Sequence, residues 1–227
     1  MKLNFKILLL FISLPILPTH LTITAQNEIK QESKTEKKKQ KQNFQKNQTP
    51  QEPTVPKGNV EVIFVTSMGK IRLDLFKQKD PVTVNNFLKY VKSDYYNNTI
   101  FHRIIDGFII QGGAYDINFN AKENKNPPIK NNSDIGLKNL TGTIAMARKP
   151  NSIDSATSQF FINLTNNKNL DSKENNNGYA VFGKVISGMD VVQKIAKIKV
   201  GQLEGMYNVP FYPKEALILS VSVKEPQ

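Results

Sequence analysis

From Val60 onward, apolar and polar residues alternate. Val60, Val62 and Phe64 share one side, Ser67-Met68-Gly69 turns the chain, and Ile71, Leu73 and Leu75 resume the alternation. A period of two broken by a short Gly-containing turn predicts a β-hairpin. The period then changes. Val84, Phe87, Leu88 and Val91 fall at i, i+3, i+4 and i+7 behind Pro81, which predicts a helix opening at that proline and closing at Asn97-Asn98. Short β-like runs follow at Thr99–Ile105, Phe108–Gln111, Thr143–Ala147, Phe160–Leu164 and Val181–Val185, separated by Gly or Asn clusters. A second helical pattern covers Met189–Ala196, and Leu217–Val223 alternates again. Many short strands with only two helices favour a closed antiparallel barrel or a sandwich. The strand-poor stretches 114–139 and 165–178 read as ordered surface loops of the length that function usually requires.

The N-terminal quarter follows neither period. Lys2 and Lys6 precede an apolar run, Ile7 to Leu17, that is too short for an ordinary spanning helix. The pattern is that of a secretory signal peptide over residues 1–25, with Ala25 as the last residue removed. Ile23, two positions before Ala25, is bulky for its place, so an uncleaved membrane anchor is the competing reading. Residues 26–58 are rich in Lys, Gln, Glu, Asn and Pro, a composition that cannot offset the entropy of ordering; they read as a disordered tether. One domain, 59–227, remains.

The net charge of +12 suggests nucleic acid or an anionic membrane as a partner, but its location weakens that idea. The signal carries +2 and the tether eight Lys against four Glu, so only half of the excess lies in the domain. With no Cys, there is no disulfide, thiol nucleophile, Cys-ligated zinc or lipidated N-terminal Cys; two His cannot build a multi-His metal site.

The richest stretch for chemistry is Phe101 to Gly113, FHRIIDGFIIQGG. One strand brings up Arg103, a Gly-containing turn follows, and the next strand places Phe108 and Gln111 nearby. An Arg, an aromatic ring and an amide presented together can grip a peptide by its carbonyl and an apolar ring. His102 adjoins Arg103 and therefore points to the opposite face of the strand, which makes it a packed, hydrogen-bonded structural residue rather than a general base. Later come GTIAMA with Arg148, SQFFI, Asn169-Leu170-Asp171 and GYAVFG. Taken singly, Phe161, Leu170 and Tyr179 are as easily read as core.

Together, FHRIIDGFIIQGG, GTIAMA, SQFFI and GYAVFGKVISGMDVV, in this order and spacing, resemble the cyclophilin-type peptidyl-prolyl isomerases over about 59–225, and are similar to their exported bacterial branch. The resemblance implies a closed antiparallel eight-stranded barrel capped by two α-helices, in the periplasm. It implies Arg103 as the main catalytic residue, with Phe108 and Gln111. Phe108, Ile109, Phe161 and Leu170 would line a pocket for the proline ring. Ala147 and Arg148 would hold peptide backbone, Tyr179 would close one side, and Gln159 would orient the Arg. The implied partners are proline-containing polypeptides, met by a monomer that needs no metal, cofactor or nucleic acid; a membrane enters only through an uncleaved signal. Departures from the pattern are Ile109 for a usual Met, Arg148 for a frequent Asn, Tyr179 for a common His, Asp106 for a frequent Pro, and Asn169 where many members carry Trp. The last implies weak cyclosporin binding. Asn169 and Arg148 also motivate an alternative: a proline-peptide-binding or chaperone-like module with little turnover.

Overall fold

A computed structural model describes residues 56–123, 126–173 and 178–224. The signal peptide and nearly all of the tether lie outside the described residues.

The first hairpin forms where the alternation places it. Strand β1 (Val60–Thr66) pairs with β2 (Gly69–Leu75) in the register Val62↔Leu73, Phe64↔Ile71 and Thr66↔Gly69. Val62, Phe64, Ile71 and Leu73 are fully buried, so one face of the ribbon is entirely core. Helix α1 (Pro81–Lys92) begins at a proline whose missing N–H no helix needs at that position. Asp80 caps it by accepting a hydrogen bond from the Thr83 N–H at 3.1 Å. The helix ends earlier than the sequence suggests, at Lys92. Asp94 takes a left-handed conformation (φ 54°), which an α-helix cannot continue, and the next four residues form turns.

The remaining strands are β3 (Thr99–Ile100), β4 (Arg103–Ile105), β5 (Ile109–Gly112), β6 (Thr143–Met146), β7 (Phe160–Asn163), β8 (Val181–Ser187), β9 (Val200–Leu203), β10 (Met206–Pro210) and β11 (Leu217–Val223). Helix α2 (Met189–Ala196) follows β8. The main sheet is antiparallel throughout, in the order β3-β11-β1-β2-β8-β6-β7-β5-β4. Among the described residues, the mostly-β architecture with two α-helices agrees with the sequence. The closed eight-stranded barrel does not: the sheet has nine strands and is open, a curled half-barrel. The run read as one strand, Thr99–Ile105, splits around Phe101-His102, and its halves occupy the two opposite edges. These halves are two and three residues long and consecutive in the chain. The covalent backbone thus crosses the seam: Phe101 N–H donates to the Ala216 carbonyl at 2.9 Å, continuing the β3–β11 register, before Arg103 pairs with β5. A separate hairpin, β9–β10, also went unread, because Val200, Leu203, Met206 and Val209 do not alternate.

Strand alternation sorts the apolar residues into two clusters. Ile110, Ile144, Met146, Phe160, Ile162 and Phe182 join the main core with the helices. There, Phe160 meets Phe64, Phe87 and Tyr96 edge to face, with ring centroids 5.5–5.8 Å apart. Their immediate neighbours Ile109, Ala145, Phe161 and Val181 form a second cluster, joined by the partly buried Phe76, Phe108, Leu137, Ala147, Leu170 and Tyr179. Since successive strand residues point to opposite faces, this second cluster lies across the sheet from the core.

Candidate active site

Register explains how distant segments meet on that second face. Arg103 pairs with Gln111, Gln111 with Phe161, Phe161 with Ala145, and Ala145 with Val181. Directly opposed residues on neighbouring strands share a face. One row thus crosses β4, β5, β7, β6 and β8, running from a guanidinium through an amide to an apolar floor.

At the polar end, Arg103 Nη1 donates to Gln111 Oε1 at 3.5 Å, and Gln111 Nε2 donates to Gln159 Oε1 at 3.0 Å. Arg103 is only half-buried. Gln159 therefore meets Arg103 through Gln111. At the apolar end, Ile109 and Phe161 are 3% and 2% exposed and form a floor. Phe108, Leu170 and Tyr179 stand around it, half-buried, and the Tyr179 ring meets Phe161 edge to face at 5.5 Å. Ala147 extends β6 along the rim, its N–H bonded to the Gln159 carbonyl at 2.9 Å. Arg148 lies over the Tyr179 ring at 4.7 Å and donates to the carbonyls of Gly178 (3.3 Å) and Pro150 (3.1 Å), so its charge is folded against the rim. Asn169 is exposed on the 3₁₀ turn that carries Leu170.

His102 faces away from this groove. It is 5% exposed and packs against Tyr115 with ring centroids 4.9 Å apart. Burial, and secondarily the adjacent Arg103 charge, lower its pKa to about 4, against a backbone hydrogen bond with Ile100 that favours the proton. The expected packing is present, but Nδ1 is buried without a hydrogen-bond partner.

The family model described as "Cyclophilin type peptidyl-prolyl cis-trans isomerase/CLD" matches residues 61–222. The chain belongs to the cyclophilin-type peptidyl-prolyl cis-trans isomerases. Peptidyl-prolyl cis-trans isomerase A of Dickeya dadantii is 50% identical over 155 residues, covering 68% of this chain and 80% of that protein. Peptidyl-prolyl cis-trans isomerase B of Escherichia coli is 48% identical over 168 residues, 72% of this chain and 99% of that protein. A crystal structure of a cyclophilin type isomerase from Cryptosporidium parvum, in the presence of the dipeptide Ala-Pro, superposes with a TM-score of 0.61 at 28% identity, covering 73% of this chain and 99% of that one.

In this isomerase the structure brings together Arg103, Phe108, Ile109, Gln111, Ala147, Arg148, Gln159, Phe161, Leu170 and Tyr179 on the side of the sheet opposite the main core. Sequence reasoning missed Phe76, Leu137, Ala145 and Val181, which complete the apolar cluster. Ala145 and Val181 were accessible to it, because each flanks a core residue in an alternating strand. Phe76 and Leu137 lie outside the strands, where no period marks them.

Proposed function

We propose that Arg103 drives isomerisation of X–Pro bonds in exported polypeptides by hydrogen bonding to the prolyl nitrogen as the amide twists. Rotation about that bond meets a barrier of about 18–20 kcal/mol, because resonance gives the C–N bond partial double-bond character. In the planar ground state the nitrogen lone pair is delocalised and accepts no hydrogen bond. In the twisted transition state the nitrogen is pyramidal and its lone pair is free. A guanidinium beside it then binds the transition state better than either ground state, which is the condition for lowering a barrier. Phe108, Ile109, Phe161 and Leu170 hold the ring, Gln111 and the Ala147–Arg148 rim hold the flanking backbone, and Tyr179 closes the side.

The observation that carries this reading is the unbroken row from Arg103 through Gln111 to Phe161, polar at one end and apolar at the other. It matches a substrate with a carbonyl on one side and a saturated ring on the other. The Ala-Pro dipeptide of the Cryptosporidium parvum crystals supports a proline-containing ligand. Export rests on the Lys2, Lys6 and Ile7–Leu17 pattern alone. Exchange NMR on a proline tetrapeptide tests the activity: the account expects cis–trans cross-peaks at catalytic amounts of protein. Shifted peaks without exchange would instead favour a proline-binding module. N-terminal sequencing of the protein from its native compartment tests export, with Gln26 expected first.

A further inference from the structure

Three walls of the proposed proline pocket have no strand to hold them. Phe108 sits in the β4–β5 turn, Leu170 in a 3₁₀ turn and Tyr179 in the approach to β8. Behind them lie three buried carboxamides: Asn139, Asn163 and Asn167 are 1%, 0% and 4% exposed. Asn163 lies two residues after Phe161 on β7 and pairs with Ile109, so it is on the pocket's side of the sheet.

The three amides form a directed relay that ends on the pocket walls. Asn167 Nδ2 donates to the Phe108 carbonyl at 3.0 Å and to Asn163 Oδ1 at 2.7 Å. Asn163 Nδ2 donates to Asn139 Oδ1 at 3.2 Å and to Thr143 Oγ1 at 2.9 Å. Asn139 Nδ2 donates to the carbonyls of Leu170 at 3.1 Å and Tyr179 at 3.4 Å, and to Asp171 Oδ1 at 3.2 Å. Backbone bonds join the same points: Asn167 N–H to the Asn139 carbonyl (2.8 Å), Leu170 N–H to that of Asn167 (2.9 Å), and Tyr179 N–H to that of Leu170 (2.9 Å). A buried polar network costs free energy unless its members are satisfied, and a satisfied one specifies a single arrangement. Here that arrangement is the spacing of Phe108, Leu170 and Tyr179.

We propose that Asn139, Asn163 and Asn167 are positioning residues that set the width of the proline pocket through the backbones of Phe108, Leu170 and Tyr179. The inference rests on the proposed pocket. The pocket grips the ring in ground and transition states alike, so loosening it weakens uniform binding and leaves the Arg103 step intact.

The test uses Asn167→Ala and Asn139→Ala in the full chain, assayed on a proline tetrapeptide well below the melting temperature of each variant. The expected result is a KM raised about tenfold with kcat within about twofold. Asn167→Ser, which keeps a shorter donor, should recover part of the loss; it also stands in if the alanine variant does not fold. In a Phe108→Ala background, Asn167→Ala should raise KM by a smaller factor than it does in the wild type, because the Phe108 ring is one of the walls it positions. Unchanged KM with only a lower melting temperature would overturn the proposal, as would full additivity in the Phe108→Ala background. If the wild type fails to turn over the peptide, the proposed activity fails instead. Amide chemical shifts of Phe108, Leu170 and Tyr179 in the peptide-free variants then decide: displaced shifts support the positioning role and unchanged ones contradict it.

Discussion

His102 and Arg103 are neighbours with opposite surroundings, because a strand sends consecutive side chains to opposite faces. Arg103 is half-buried on the groove side, whereas His102 is sealed in the protein with its pKa lowered to about 4. That lowering has a definite sign. An unfolded chain takes a proton at this ring near pH 6.5, while the folded one resists until about pH 4. The ring's contribution is therefore complete above pH 6.5 and is lost as pH falls toward 4, by up to about 3 kcal/mol. Comparing the wild type with His102→Gln in chemical denaturation between pH 7 and 4 isolates it from the carboxylates. The wild type should lose more stability over that interval; parallel curves would exclude the effect. Ile109, where the family usually has Met, is buried in the second cluster, and Ile109→Met should cost less than about 1.5 kcal/mol with turnover retained. Urea midpoints and peptide turnover check this.

Within the elements, two local devices support the site from outside it. The second glycine of the QGG run, Gly113, has φ +87°, and an added Cβ would lie 2.7 Å from the Ser158 carbonyl oxygen. Gly113→Ala should cost at least about 2 kcal/mol, from the left-handed backbone and the forced displacement together. Asp80 is fully buried, caps α1, and also accepts from Asn132 Nδ2 at 2.9 Å. Asp80→Ala should lower stability by about 1–2 kcal/mol, measured by thermal unfolding. These elements also show what a single chain reveals. The first hairpin and both helix starts were legible because period, proline and turn residues agree there. Phe108, Ile109 and Phe161 of the proposed pocket were named through the resemblance that the FHRIIDGFIIQGG and SQFFI strings carry, whereas composition alone left Phe161 between core and groove. Phe160 and Phe161 are chemically identical, and only the register of β7 against β5 and β6 sends one inward and the other to the groove. The split of Thr99–Ile105 was equally hidden, since apolar content is continuous across Phe101 while the hydrogen-bond partner changes.

At the scale of the molecule, an open nine-stranded sheet carries two apolar clusters, one on each face. The larger faces the helices and holds the fold together; the smaller is half-covered and lies beside a cation. This division lets a groove stay partly exposed while stability comes from elsewhere. The absence of Cys and the scarcity of His cost nothing to a reaction that twists an amide and breaks no bond. Arg103 is the residue on which the proposed catalysis depends. Its most direct test is kcat/KM for a proline tetrapeptide with Arg103→Ala, alongside thermal unfolding of the same variant. The account expects a loss of about 10²–10³-fold with an unchanged melting temperature, because the side chain supplies a transition-state donor. Activity within about twofold of wild type in the folded variant would contradict it.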